Sequence, residues 1–207
     1  MKTYLFLLLS FFVLADAKKE VTFTGESLVV KTWLDELFKS SQKVNTPKND
    51  KNPNRAKILS ALDWERIAKD CLGKKQWDKQ TKKREEFQSL LKDVIGNTAW
   101  GRLEDFWKNT NYQFKKIQIK GNEGVVDAQF VSGSDIVALT YYVTKKGSHW
   151  YVYDISLEDL RYSEDIKEKL ESFLAEKSFD ELLKSLRKRL ADLKEDSKSG
   201  AKPKSDS

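Results

Sequence analysis

KKGSHWYVYDISLEDLRYSEDIKEKLESFLAEKSFDELLKSLRKRL, residues 145 to 190, passes from a turn into an aromatic strand, then through a short acidic connection into two amphipathic helices. Tyr151, Tyr153, Ile155 and Leu157 recur at every second position, so regular alternation places them on one face of the strand. Helices that follow directly can fold back over such a face, and the segment therefore predicts a sheet roofed by helices. Ser163 is placed to cap the first helix, whose apolar positions are Ile166, Leu170, Phe173 and Leu174. Ser178-Phe179-Asp180-Glu181 reads as a capping box opening the second helix, which carries Leu182, Leu183, Leu186, Leu190 and Leu193 as its stripe.

Upstream, Tyr112 to Lys120, Gly124 to Val131 and Asp135 to Lys145 alternate in the same way and are separated by GNEG, SGS and KKGS turns, the pattern of antiparallel hairpins. With His149 to Leu157 they predict a four-stranded antiparallel sheet. Val126, Ala128 and Phe130 share one face of the second strand, and Val137, Leu139, Tyr141 and Val143 one face of the third. The small Ala128 among larger neighbours leaves room on that face. Asp127, Gln129, Thr140 and Tyr142 mark the wetter side.

The first half reads as helices. Glu26 to Lys39 places Val30, Trp33, Leu34, Leu37 and Phe38 on one stripe. The polar, proline-containing stretch from Ser40 to Arg55 predicts a mobile linker. A short helix follows around Ala56 to Leu62; Asp63 can cap the next, which ends at Gly73. A long helix from about Thr81 carries Phe87, Leu90, Leu91, Val94, Ile95, Leu103 and Phe106, with a bend expected at Gly96 or Gly101. Residues 193 to 207 are polar and predict a disordered tail.

Met1 to Ala17 has a weakly positive start, an apolar run from Tyr4 to Leu14 and a small-x-small site at Ala15-Asp16-Ala17, the layout of a secretory signal peptide cleaved after Ala17. The apolar run is short of the roughly 20 residues a membrane span needs. Residues 18 to 192 then suit one domain. A single cysteine in an exported chain leaves no internal disulfide framework, so Cys71 is expected to be a small buried side chain. The net charge of +6 comes from 38 basic and 32 acidic residues that are largely interleaved. Lys74-Lys75, Lys82-Lys83-Arg84, Lys115-Lys116 and Arg187-Lys188-Arg189 could attract phosphate, but no nucleic-acid-binding motif accompanies them.

Two stretches carry a family resemblance. LDWERIAKDCLGKKQWDKQTKKREEFQSLLKDVIGNTAWGRLEDF, from Leu62 to Phe106, resembles the Asp-aromatic helix, Leu-Gly-x-x-Trp turn and Phe-ended helix of the MlaC-type periplasmic phospholipid carriers, the toluene-tolerance auxiliary components of ABC transporters. Gly147, Trp150, Val152, Tyr153 and Asp154 resemble that family's Gly-x-Trp-x-Val-Tyr-Asp strand, with one extra residue before the Trp. There are departures: Glu158-Asp159-Leu160-Arg161 stands where the family has Glu-Gly-Val-Ser, and Ile166-Lys167 where it has Tyr-Arg. The resemblance implies an NTF2-like α+β fold, a four-stranded curved antiparallel sheet packed against several helices with an apolar pocket between. It implies a monomeric periplasmic carrier with phospholipid as cargo and no cofactor. Its implied partners are an inner-membrane MCE/ABC transporter complex and an outer-membrane lipoprotein.

As pocket walls the apolar pattern nominates Leu37, Ile67, Leu91, Ile95, Val126, Ala128, Phe130, Val137, Leu139, Tyr141, Tyr153, Ile155 and Leu157. Periodicity alone does not separate a packed core from a lined cavity, so ordinary core stands beside wall for each. A catalytic residue has little support: His149, the single histidine, sits by a turn without a nucleophile partner, and no cluster has metal-ligand spacing. Two other classes stay open. One is an NTF2-like enzyme using Asp127 or Asp154 as base beside Tyr141 or Tyr153; the other is a lipid-free adaptor that binds protein through its charged helices.

Overall fold

The structure, a computed structural model, describes residues 21–42, 53–108 and 110–199. The proposed leader, the middle of the predicted linker and the end of the tail lie outside them. Among the described residues seven helices and five strands follow in the order α1 (Gly25–Gln42), α2 (Pro53–Ser60), α3 (Trp64–Leu72), α4 (Lys74–Lys79), α5 (Arg84–Lys108), β1 (Asn111–Lys120), β2 (Glu123–Ser132), β3 (Asp135–Lys146), β4 (His149–Leu157), β5 (Leu160–Arg161), α6 (Tyr162–Glu176) and α7 (Phe179–Ser199).

The strands form one antiparallel sheet in chain order, β1-β2-β3-β4-β5, each joined to the next by a tight turn. This is the α+β architecture expected, with one strand more. The added β5 arises where the chain leaves the family pattern: Glu158 and Asp159 both adopt positive φ, 49° and 69°, and so close a two-residue hairpin that brings Leu160 back beside Leu157. Two bulges curve the sheet. Lys115 is the extra residue in β1, where Phe114 pairs with Ala128 and Lys116 with Asp127; Tyr153 is the extra residue in β4, where Tyr142 pairs with Asp154 and Val143 with Val152.

The bulge at Tyr153 corrects the expected face of β4. Alternation across an unbroken strand would put Tyr151, Tyr153, Ile155 and Leu157 together. The inserted residue shifts the phase, so that Trp150 and Val152 share the inner face with Ile155 and Leu157, while Tyr151, Tyr153 and Asp154 turn outward.

Two apolar cores result. In the first, α1 lays Val30, Leu34, Leu37 and Phe38 on the inner face of the sheet, and the Phe38 ring meets Tyr112, Phe114, Phe130 and Tyr141 at centroid distances of 4.9, 5.7, 5.5 and 5.4 Å. Gly124 belongs to this face because a Cβ there would lie 2.5 Å from Ile119 Cδ1 and 2.8 Å from Val143 Cγ2. In the second, α3, α4, α5, α6 and α7 pack among themselves around Ala68, Cys71, Leu72, Trp77, Phe87, Leu91, Leu182 and Leu183. The helical layer is tied to the sheet at the free edge of β4, where the backbone N–H of Asp63 donates to Val152 O and that of Val152 to Ala61 O.

Local signals behave as their chemistry requires at several places. Asp63 caps α3, accepting from the Arg66 backbone N–H at 3.2 Å, and Gly73 ends the helix at φ 75°. The Ser178–Glu181 box closes both ways, Ser178 N to Glu181 Oε2 at 2.8 Å and Glu181 N to Ser178 Oγ at 3.3 Å. Other expectations need correction. The linker is shorter than predicted, because α1 runs on to Gln42 and α2 begins at Pro53, a residue suited to a first helical position. The turn before Trp77 is the helix α4. The helix of α7 continues to Ser199 with Leu193 buried, so residues 193 to 199 are not tail. Ser163 does not cap α6; it serves Asp154 instead.

Candidate functional site

The inner face of the sheet is where the apolar residues read from the sequence converge. Register places them in rows: Tyr112, Phe130 and Val137; Phe114, Ala128, Leu139, Leu157 and Leu160; Ile117, Val126, Tyr141 and Ile155; Ile119, Gly124, Val143 and Val152. Helix α1 crosses this face diagonally. At its start, Glu26 Oε1 accepts from Trp150 Nε1 at 3.1 Å and from Lys145 Nζ at 2.6 Å, beside the β3–β4 turn. At its end, Gln42 Nε2 donates to Thr110 O at 2.9 Å, beside the start of β1.

The diagonal buries one part of the face and leaves one corner open. Val126, Ala128, Phe130, Tyr141, Val143, Trp150 and Val152 are buried under or beside α1. Towards the start of β3 and the end of β4 cover falls away: Val137, Leu139 and Ile155 are half-buried, Leu157 is 49% exposed and Leu160 78% exposed. Apolar side chains left half-wet in one contiguous group are the observation that needs a functional explanation, since isolated exposed leucines do not. Burial pushes the Tyr141 hydroxyl well above its usual range, so Tyr141 stays neutral and adds no charge to this inner wall.

The thirteen nominated wall residues separate into three groups. Leu37, Val126, Ala128, Phe130 and Tyr141 are brought together in the first core, with Val137, Leu139 and Ile155 packed against it and Leu157 at its open edge. Ile67, Leu91 and Ile95 lie in the second, all-helical core, because the face of α3 and of α5 that carries them meets α6 and α7 rather than the sheet. Tyr153 is on the outer face. Ala128 is buried between its cross-strand neighbours Phe114 and Leu139.

Sequence reading missed Phe38 as the centre of the aromatic cluster and Phe114 and Leu160 as members of the inner face. Phe38 was visible on its helical stripe. Phe114 was hidden by the Lys115 bulge, which sets Phe114 and Ile117 three residues apart on one face, and Leu160 by a turn that needs positive φ at Glu158, a residue type that seldom adopts it.

The outer face has different chemistry. The Arg66 guanidinium lies 3.4 Å from the centroid of Tyr153, Tyr153 meets Tyr142 at 6.1 Å, and Arg161 covers Tyr142 at 4.2 Å. Arg66 also donates to Glu123 at 2.6 Å. Asp154 is buried here and fully engaged: it accepts from the Ile155 and Ser163 backbone N–H groups at 2.9 and 3.1 Å, from Arg161 Nε at 2.8 Å and from Ser163 Oγ at 2.6 Å. It fastens β4 to α6 and has no oxygen turned to a substrate. Asp127 accepts from Thr140 at 3.0 Å on this outer face, whereas Tyr141 points inward, so the sheet itself separates that base–tyrosine pair. Among the described residues no three His, Cys, Asp or Glu side chains are grouped to hold a metal ion, and no described helix is long and apolar enough to cross a membrane.

The family model described as MlaC protein matches residues 28–188. Among solved structures, one similar chain is a phospholipid-binding protein from Ralstonia solanacearum, determined in complex with a phospholipid; it is 22% identical, the match covers 80% of this chain and 97% of that one, and the TM-score is 0.68. That likeness is one of fold. Comparison with curated proteins gives no match.

Proposed function

The chain belongs to the MlaC family, and from that premise we propose that it is a phospholipid-binding carrier of the periplasm. It takes up lipid by the acyl chains and passes it between an inner-membrane MCE/ABC transporter complex and an outer-membrane lipoprotein. It acts as a monomer with phospholipid as cargo rather than as cofactor, and performs no bond-making chemistry. The signal-peptide pattern of residues 1–17 supports the periplasmic address.

The observation that carries this reading is the open apolar corner of the inner face. Val137, Leu139, Ile155 and Leu157 form a continuous apolar floor that α1 does not cover, bordered by the buried Phe130 and Tyr141. An acyl chain laid there removes both its own methylenes and these side chains from water. Each buried methylene contributes about 0.8 kcal/mol, so two chains of roughly sixteen carbons have a gross transfer free energy well above 20 kcal/mol. Water does not compete for such a ligand, and no catalytic group is needed. A carboxylate placed in the floor would oppose binding, because an unpaired charge against hydrocarbon costs several kcal/mol.

The test is transfer of fluorescent phospholipid from vesicles to the leaderless chain. Leu139→Glu and Leu157→Glu are expected to abolish or strongly reduce uptake, while Lys116→Glu, on the outer face, leaves it unchanged. Equal uptake by all three variants would remove the inner face as the binding surface.

A further inference from the structure

The helical layer carries a feature that lipid binding at the inner face does not use. Residues 74 to 84 contain Lys74, Lys75, Lys79, Lys82, Lys83 and Arg84 against the single carboxylate Asp78, a local charge of +5 in a chain whose total is +6. This segment comprises α4 and its turn into α5. Beside it a surface cleft of about 500 Å³ lies between the α3–α4 corner and α6. Leu72, Leu174 and Ala175 supply apolar lining, and Lys74, Lys75 and Lys167 the basic side chains; Glu171 is the one carboxylate lining it. The cleft exists because the corner is made by Gly73 at φ 75°, where a Cβ would come within 3.2 Å of Lys167 Cε.

From this juxtaposition of an apolar recess and a concentrated basic segment we infer that the cleft is a docking site for an acidic polypeptide segment of a partner protein, one that inserts an apolar side chain between carboxylates. The shape decides between a polypeptide and a bilayer. A membrane-binding surface projects apolar side chains into lipid, but the large exposed apolar residues among those described lie on or before α1, on the sheet and at the first residue of α6, none of them in 72–84 or beyond Tyr162. Here the large apolar lining residues are the buried Leu72 and the half-buried Leu174, with the small Ala175 exposed at the rim, so the partner must supply the protruding group. The volume falls within the range of small-ligand pockets and accommodates a few side chains rather than a whole domain.

Charge complementarity sets the rest. Within the segment Lys74 pairs with Asp78 at 2.5 Å, Arg84 with Asp78 at 3.8 Å and Lys83 with Asp180, and across the cleft Lys167 pairs with Glu171 at 3.7 Å. Lys74–Asp78 and Lys167–Glu171, the pairs that line or border the cleft, are solvent-exposed and weakly held, so they exchange readily for an incoming carboxylate. Long-range attraction of an acidic segment by this end of the molecule accelerates encounter and confers a steep salt dependence, the properties of a contact that forms and releases quickly. The inference is independent of the lipid reading, because the cleft is lined from the helical layer alone.

The experiment uses the leaderless chain and a fluorescein-labelled hexapeptide, two leucines between pairs of glutamates, followed by anisotropy. Three companions serve as comparison: the same peptide with glycines for leucines, and vesicles with and without phosphatidylglycerol. Expected are binding of the leucine peptide that weakens with salt, a loss of about tenfold or more in Lys75→Glu/Lys79→Glu, a similar loss in Ala175→Trp, which fills the recess from an exposed position, and unchanged lipid uptake in both variants. Equal binding of the glycine peptide, or full binding by Ala175→Trp, would overturn the site. So would a result in which the lysines are required for anionic vesicles while the peptide does not bind.

Discussion

Ser163 Oγ donates to Asp154 Oδ2 at 2.6 Å, joining the end of β4 to the first turn of α6 across the β5 hairpin. Arg161 and two backbone N–H groups complete the set around the same carboxylate. Asp154→Ala leaves the Ser163 hydroxyl and backbone N–H buried without their acceptor and releases Arg161. A loss of about 3 kcal/mol is expected, measured as a drop in the urea midpoint with an unchanged slope. Asp154→Asn, which keeps one acceptor oxygen, should lose less.

The β4–β5 turn stores strain that a single substitution can relieve. Glu158 holds φ 49°, a region that L-residues other than Asn and Asp enter with difficulty. Glu158→Gly is expected to raise stability by about 0.5 kcal/mol, since glycine's freedom at positive φ outweighs its larger unfolded-state entropy there. The thermal midpoint reports it, and the effect requires that β5 remain paired.

Much of this architecture was legible because the local chemistry and the global fold agree. The four long strands, the Asp63 cap, the Gly73 stop and the Ser178–Glu181 box each rest on a few adjacent residues and appear where those residues demand. What could not be read depends on register. One inserted residue, Tyr153, reverses the face of the residues after it, and nothing in period-2 alternation announces it. Likewise Ile67, Leu91 and Ile95 lie on apolar helical stripes that face other helices and not the sheet; periodicity says which stripe is buried and not against what. The open corner was partly legible for the same reason: Val137, Leu139 and Leu157 were apolar on paper, but only the diagonal course of α1 shows that they are left uncovered.

Cys71 is buried against the helical core, and burial, with smaller contributions from Asp154 and Asp70, pushes its thiol up to about 12. The native thiol should therefore resist a thiol reagent at neutral pH and react fully on unfolding. The linkage has a definite sign. The unfolded thiol loses its proton near 9.0 and the folded one only near 12, so its contribution is complete below pH 9 and falls as pH rises through that window. By pH 10 the loss is on the order of 1 kcal/mol. Wild type compared with Cys71→Ala, by urea unfolding at pH 7 and pH 10, isolates it: the variant is less stable at pH 7, and the gap narrows at pH 10.

Acyl-chain binding on the inner face is tested most directly by purifying the protein from the compartment it occupies, extracting it with organic solvent and identifying what is released by mass spectrometry. Near-stoichiometric phospholipid, lost when Leu139 and Leu157 are replaced together by glutamate, is the expected result. Protein that is lipid-free as isolated, and that also takes up none from vesicles, would contradict it.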